Sequence, residues 1–397
     1  MSWVTQLAQT YGNMTDWVED TVNGIHKVLI DAGWTLLDEI SATSGQTDRV
    51  YYSTGEDGTE KLYFRMIQVT GTQKLRFRLY TLWDPSGHAG YNEVKNDADN
   101  PMTISVVDQA FTGWIVANKN GLTLVYRQVG DYNGCYVGIP TSRIVPTNKS
   151  GRTTISAGAT ITASGETVLS VTSSSNIKVG QKVRVLNQTV GANGGNFVRC
   201  TVTAVATGQI TVTNDSAVAT TFDSGALVGF DPQPIMFQGN SYGRNGGAGS
   251  YIGSYPASAF FIYGMDTLRM TGSAIALASF KQYATNTMHA FLNASNPAGG
   301  YPTGVLNSDM YWRSDPDVNG NYGVLPMLFV GGRSNNADSA DDGIRAQTDR
   351  VVYVTRGAAL ANEDRLEVDD ETWVCAFGYT DYGSGNQQYS TAYKIAE

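Results

Sequence analysis

The stretch FTGWIVANKNGLTLVYRQV, Phe111–Val129, holds two runs of apolar and aromatic residues around Asn118-Lys119-Asn120-Gly121. Such runs, bounded by a short Asn/Gly cluster, read as two antiparallel strands of a hairpin. The Asn-Gly pair at its tip supplies the positive φ values that tight hairpin turns use. The same grammar extends in both directions. Upstream, WTLLDEI (Trp34–Ile40) and DRVYYST (Asp48–Thr54) read as strands. EKLYFRMIQVT (Glu60–Thr70) and KLRFRLYTLW (Lys74–Trp83) read as a hairpin across Gly71. Downstream, AFFIYGM (Ala259–Met265), LRMTGSAIALASF (Leu268–Phe280), YGVLPMLFVGG (Tyr322–Gly332), DRVVYVTRGA (Asp349–Ala358) and ETWVCAFGYT (Glu371–Thr380) continue the series.

One segment reads differently. From Met14 to Ala32, Trp17, Val18, Val22, Ile25, Val28 and Leu29 recur every three or four residues, the apolar stripe of a helix. Asn13 caps it, with Asp16 three residues on as an approximate capping box. Gly33 ends it, and Gly24 weakens its middle. One helix against a meander of strands is an α+β arrangement that buries one sheet face.

The composition changes near Thr147. Residues 147–230 contain no Tyr and no Trp, although the whole chain has 22 and 7. Within them Lys149, Arg152, Lys178, Lys182, Arg184 and Arg199 face Glu166, Asp215 and Asp223, a balance of 6 − 3 = +3. The remainder of the chain is then −9 − 3 = −12. Short strand signals are dense here, as in ETVLSVT, KVRVLNQ, VRCTVTAVA and QITVTND, and they predict a small closed barrel or sandwich. Because tyrosine-rich sequence flanks it on both sides, this unit reads as an insertion. The predicted fold is mainly β (α+β): an antiparallel framework with one N-terminal helix, in two parts (1–146 and 231–397), interrupted by a small β-barrel or sandwich at 147–230. In NIKVGQKVRVLNQTV (Asn176–Val190) the alternation places Lys178, Lys182 and Arg184 on an exposed face, a candidate docking surface.

The 397 residues are 41% hydrophobic and 16% charged, which suits folded domains rather than disorder. A net charge of −9 disfavours nucleic acid or an anionic membrane as the main partner. MSWVTQLAQTYGNMTDW shows no secretory signal. No run approaches the roughly 18 apolar residues of a membrane span. The expectation is a protein made and folded in the cytoplasm. Cys135, Cys200 and Cys375 are widely spaced and read as free thiols in strands.

The chain offers little to chemistry. His26, His88 and His289 lie in separate segments, and no GxSxG, HExxH or Walker sequence is present. GAGSYIG (Gly247–Gly253) lacks the strand before and the helix after that a dinucleotide fingerprint needs. DPDVNGN, Asp315–Asn321, matches the first half of a calcium loop, with Asp315, Asp317 and Asn319 as oxygen ligands and Gly320 at the sharp turn. The bidentate Glu expected at position twelve is Pro326, so an Asx-rich turn is the plainer reading. Calcium is the one cofactor the sequence leaves open. The acidic pairs Asp97/Asp99 and Asp341/Asp342, and the run Asp369 to Glu371, sit in turn-prone segments where solvated charge is the default.

Three stretches carry a resemblance. They are GWTLLDEI with RVYYSTGEDGTEKLYFRMI (Gly33–Ile40 and Arg49–Ile67), GWIVANKNGLTLVYRQVGDYNGCYVGIP (Gly113–Pro140), and VLPMLFVGG with DDGIRAQTDRVVYVTRGAALANEDRLEVDDETWVCAFGYTDY (Val324–Gly332 and Asp341–Tyr382). The framework that they form resembles virion structural proteins of tailed bacteriophages, of the neck, collar or tail. The resemblance implies no catalytic residue. It implies a non-enzymatic subunit that forms a ring with copies of itself, contacts other neck or tail proteins, and carries the inserted unit outward as decoration or docking module. Its expected location is the virion, assembled in the host cytoplasm. The alternatives are a receptor-binding or tail-fibre protein holding host glycan, and a glycan depolymerase.

Overall fold

The computed structural model describes residues 4–41, 46–69, 71, 74–91, 102–105, 109–128, 131–139, 142–143, 152–229, 234–239, 259–263, 289–290, 324–331, 343–355, 363–368, 370–376 and 389–396. It is a mainly β protein of antiparallel sheets with few, short helices.

The first sheet has the strand order Val4–Tyr11, Phe111–Asn118, Gly121–Gln128, Asp131–Gly138, Pro234–Gly239 and Ala259–Tyr263. The second runs Thr35–Ser41, Gln46–Ser53, Leu62–Val69, Lys74–Tyr80 and Met102–Ser105. Two helices, α1 (Met14–Glu19) and α2 (Ile25–Asp31), share one core with these two sheets. That core holds Trp17, Val18, Ile25, Val28 and Leu29 from the helices, Ile115, Leu124 and Tyr126 from the first sheet, and Tyr51, Phe64 and Phe77 from the second.

The single helix expected over 14–32 is therefore two. Asp20 ends α1, and its carboxylate accepts the backbone N–H groups of Val22 (2.8 Å) and Asn23 (2.7 Å). Gly24 then caps α2. The apolar stripe survives the break except at Val22, which is 66% exposed because it sits in the turn. Asn13 caps α1, accepting from the Asp16 N–H at 3.0 Å. Gly33 follows α2 at φ +87°, as a helix-ending glycine does.

The Phe111–Gln128 hairpin forms, but its turn differs from the expected one. Asn118 pairs with Gly121, leaving Lys119 and Asn120 as the loop, and none of these residues has positive φ. The Asn118 side chain instead accepts the N–H groups of Asn120 (3.0 Å) and Gly121 (3.2 Å). The tip is wedged between sheets: the Trp34 indole donates to the Asn118 carbonyl at 2.7 Å, and the Ser53 hydroxyl to the Lys119 carbonyl at 2.6 Å.

The third sheet orders His289–Ala290, Val324–Gly331, Gly343–Thr355, Tyr389–Ala396, Glu371–Ala376 and Arg365–Val368, with Ser142–Arg143 paired to Gly343–Thr355. It meets the first sheet where the Tyr393 hydroxyl donates to the Gly134 carbonyl at 2.9 Å. The strand expected over Leu268–Phe280 lies outside the described residues.

Residues 153–229 form a curled six-strand half-barrel: Thr153–Thr154, Leu227–Gly229, Lys182–Leu186, Phe197–Ala206, Gln209–Asn214 and Glu166–Ser170. A bridge between Ile155 and Val171 draws its two edges together. Its core is aliphatic, built from Ile155, Leu169, Val183, Val185, Val202, Ile210 and Val212, with Phe222 as its one ring. Among the described residues its strands pair only with one another. Asp131–Gly138 and Pro234–Gly239, on either side of it in the chain, are direct neighbours in the first sheet.

Candidate functional site

The second sheet has two faces. One packs on the helices. Across the other, Tyr52, Tyr63 and Tyr80 stand opposite one another on three successive strands, and the rings of Tyr52 and Tyr63 lie 4.9 Å apart. Alternation predicts this, because residues two apart on a strand share a face and register aligns them. The short hairpin Leu82–Asp84 and Ala89–Tyr91 folds over the tyrosines, adding Leu82, Trp83 and the half-buried Tyr91.

A polar group pins this hairpin. Asp38 is buried and takes the Trp83 indole N–H at 2.8 Å. His88 Nδ1 lies 2.9 and 3.0 Å from the two Asp38 oxygens. His88 adopts φ +49°, a left-handed conformation that is uncommon outside Gly and in which Asn, Asp and His are over-represented. Its ring remains 56% exposed. Beside it the Arg65 guanidinium packs over the Trp83 ring at 5.9 Å and pairs with the fully buried Asp48.

The inserted unit docks at the edge of this face. Gln188 Nε2 donates to the Thr81 carbonyl at 2.7 Å, and Lys61 Nζ to the Gln188 carbonyl at 3.2 Å. Arg152 reaches across to the Glu60 carboxylate at 2.8 Å and to the Thr59 carbonyl at 3.1 Å. Gly195 faces Tyr91 so closely that a Cβ would lie 2.6 Å from its ring. The loop bearing Gln188 is stiffened by Asp223, which accepts from the amides of Asn187 (2.7 Å) and Asn193 (2.8 Å). Those hydrogen bonds hold the Asp223 carboxyl below its ordinary range.

The predicted docking cations fall out differently. Lys178 is exposed. Lys182 bonds the Thr201 hydroxyl at 2.6 Å and pairs with Asp215 at 3.0 Å. Arg184 is not on an exposed face: it is 2% exposed. Along the outward-facing row Lys182, Arg184, Leu186 and Gln188, burial becomes complete toward the end where Gln188 meets the framework. Alternation read the direction of these side chains correctly and could not see what covered them. The cation that joins the unit to acidic sequence is Arg152, and the acid is the chain's own Glu60. The opposite charges of insertion and framework were the available signal. Asp315, Asp317 and Asn319 lie outside the described residues.

Removing the Arg152 side chain leaves Glu60, 1% exposed at its side chain, without this partner. Because Arg152 keeps 24% exposure, screening reduces the effect. Arg152→Ala is expected to weaken docking by about 2 kcal/mol. Limited proteolysis should then cut on either side of the inserted unit sooner than in the parent, while the unit itself stays resistant. Arg152→Lys should restore only part of this, since one ammonium replaces a fork that reaches two acceptors.

A second cluster ties helices to sheet. Arg49 pairs with Glu19 of α1 at 2.5 Å and with Glu39 at 2.8 Å. Its neighbour Tyr51 places its hydroxyl 3.0 Å from His26 Nδ1 on α2. Burial keeps that hydroxyl protonated, so it can donate to a neutral imidazole. Burial, and then the Arg49 charge, lower the His26 pKa below its ordinary 6.5. Below that pH the unfolded chain binds a proton that the folded one resists, so this contribution is present above pH 6.5 and is lost as pH falls. His26→Gln is expected to flatten the fall in stability as pH drops below 6.5, read from urea midpoints at each pH.

The three cysteines are buried and free. Burial raises the pKa of each, Cys200 and Cys375 to about 12, so they are inert packing groups. Among the described residues no group of three or more His, Cys, Asp or Glu is placed to hold a metal ion. No protein-family model and no curated protein matches the chain.

Proposed function

We propose that the chain is a non-enzymatic structural subunit of a tailed-bacteriophage particle, in its neck, collar or tail. Copies of the framework contact one another in a ring and meet other virion proteins. The inserted unit is an outward decoration or docking module. Nucleic acid and membrane are not its partners, and its place is the virion, assembled in the host cytoplasm. Besides the resemblance of the framework segments, one observation carries the reading. The inserted unit leaves and re-enters between neighbouring strands of the first sheet, yet is fixed to the framework through Arg152 and Gln188. That is how a module is displayed at a set angle without interrupting the framework's first sheet. Symmetric rings repeat one contact many times, so a modest interface suffices. Sedimentation of the purified chain should show a closed oligomer, and particles carrying a labelled subunit should show a ring of label. A chain that stays monomeric at high concentration and leaves no density on particles would sink the proposal. Particles should still assemble when residues 147–230 are deleted.

A glycan-holding receptor-binding role is the second reading. What favours it is the half-buried Tyr91 and the exposed His88 on one short hairpin, since aromatic faces with polar neighbours suit sugar rings. Direct binding to host cells by a trimeric species would move the balance to it.

A further inference from the structure

On the strand Lys74–Tyr80, Lys74, Arg76 and Arg78 alternate with the buried Leu75, Phe77 and Leu79. The three cations therefore share the face opposite the helices, in steps of about 6.7 Å. Arg65 adds a fourth on the neighbouring strand, opposite Arg78. Arg65 is neutralised by Asp48, and Arg78 also makes contacts of its own. Among the described residues neither Lys74 nor Arg76 enters an ion pair, and both are partly exposed. This is a basic stripe on a chain whose net charge is −9.

The complementary surface lies in the third sheet. Arg365–Val368 is its terminal strand, with its outer edge unpaired among the described residues. It is joined to Glu371–Ala376 by a tight turn in which Asp370 adopts φ +68°. Residues 363–371 hold six carboxylates and one cation, Arg365; of these, Glu363 pairs with Arg127 at 3.0 Å and Glu371 with Lys394 at 2.6 Å. Glu367 and Asp370 are exposed, and neither forms an ion pair among the described residues. Stripe and hairpin are different patches, so joining them between copies makes a head-to-tail contact, the kind that closes into a ring when the rotation allows.

We infer that the Lys74–Arg76–Arg78 face docks the acidic Glu367–Asp370 hairpin of a second copy of this chain. The inference rests on the proposed ring and specifies its contact. Complementary charge sets register and speeds encounter, and like charge suppresses wrong pairing.

The test uses two full-length variants, Lys74→Glu/Arg76→Glu and Glu367→Lys/Asp370→Lys, each checked for a parental unfolding midpoint. In sedimentation at low salt each alone should need at least about tenfold more protein to assemble than the parent. Added salt should weaken the parent's assembly as well. Mixed in equal amounts, the two should assemble again, because each reversed patch then meets its opposite, and the mixed rings should have even numbers of subunits. A parent ring that both variants form unchanged, or variants that fail alone and do not associate with each other when mixed, overturns the contact and leaves the ring reading standing. A monomeric parent removes the ring reading itself. Duplex DNA bound by the parent and lost with Lys74→Glu/Arg76→Glu would assign the stripe to nucleic acid instead.

Discussion

Trp17→Ala is expected to destabilise the framework by about 4 kcal/mol, the range for deleting a large buried ring whose site cannot collapse. Trp17 is fully buried. Its ring meets Phe111 edge-on at 5.1 Å and Tyr126 at 5.4 Å, and Tyr11 closes the cluster at 6.3 Å. Those partners come from three strands of the first sheet, while Trp17 comes from α1. Removing it therefore opens a void at the seam where the helix layer meets the sheet. Urea unfolding followed by fluorescence should show the midpoint falling with little change in slope. Trp17→Phe, which keeps a ring in place, should recover more than half of the loss. An alanine variant within 1 kcal/mol of the parent would mean that α1 is not part of the cooperative core.

Gly138→Ala is the second. A Cβ there would lie 2.4 Å from the Asn120 carbonyl oxygen and 2.6 Å from the Gly121 Cα, both backbone atoms that cannot swing aside. Relief requires the wedged hairpin tip to shift, and with it the Ile139 N–H bond to Asn120 O at 3.0 Å and the Tyr136 hydroxyl bond to Ile139 O at 2.7 Å. The expected loss is about 3 kcal/mol, the upper end for overpacking. Gly58→Ala is the control. Its φ of +73° carries a backbone cost, but nothing lies within 4 Å of the added methyl. About 1 kcal/mol is expected there. Equal losses at the two positions would show that crowding at Gly138 is not the cause.

Those two sites show what could be read from sequence and what could not. Three- and four-residue spacing identified Trp17, Val18, Val22, Ile25, Val28 and Leu29 as one stripe, and all but Val22 are buried. It could not show that Asp20 would spend its carboxylate on the backbone of Val22 and Asn23, which divides the helix. Asn118 to Gly121 was legible as a turn, but the reason for Gly121 was not. A Cβ there would strike the Tyr136 ring at 2.6 Å, a contact set by register across the sheet rather than by φ. The inserted unit was legible because its core excludes Tyr and Trp and its strands are short. Burial of Arg184 was not, because alternation gives the side of the strand a residue lies on and not what packs over that side. Arg152 was counted in the charge balance without a partner, since Glu60 is 92 residues earlier.

The entry and exit of the half-barrel have a consequence for how such a chain can change over time. Thr153 pairs with Val228, so the two ends of the unit are about 5 Å apart, one strand spacing. The flanking strands of the first sheet are neighbours in the same way. Any compact unit whose termini meet at that spacing fits the gap without moving the sheet. The exposed part of the molecule can be exchanged as a cassette, with seam residues such as Arg152, Gln188 and Gly195 rewritten to keep the replacement at a fixed angle.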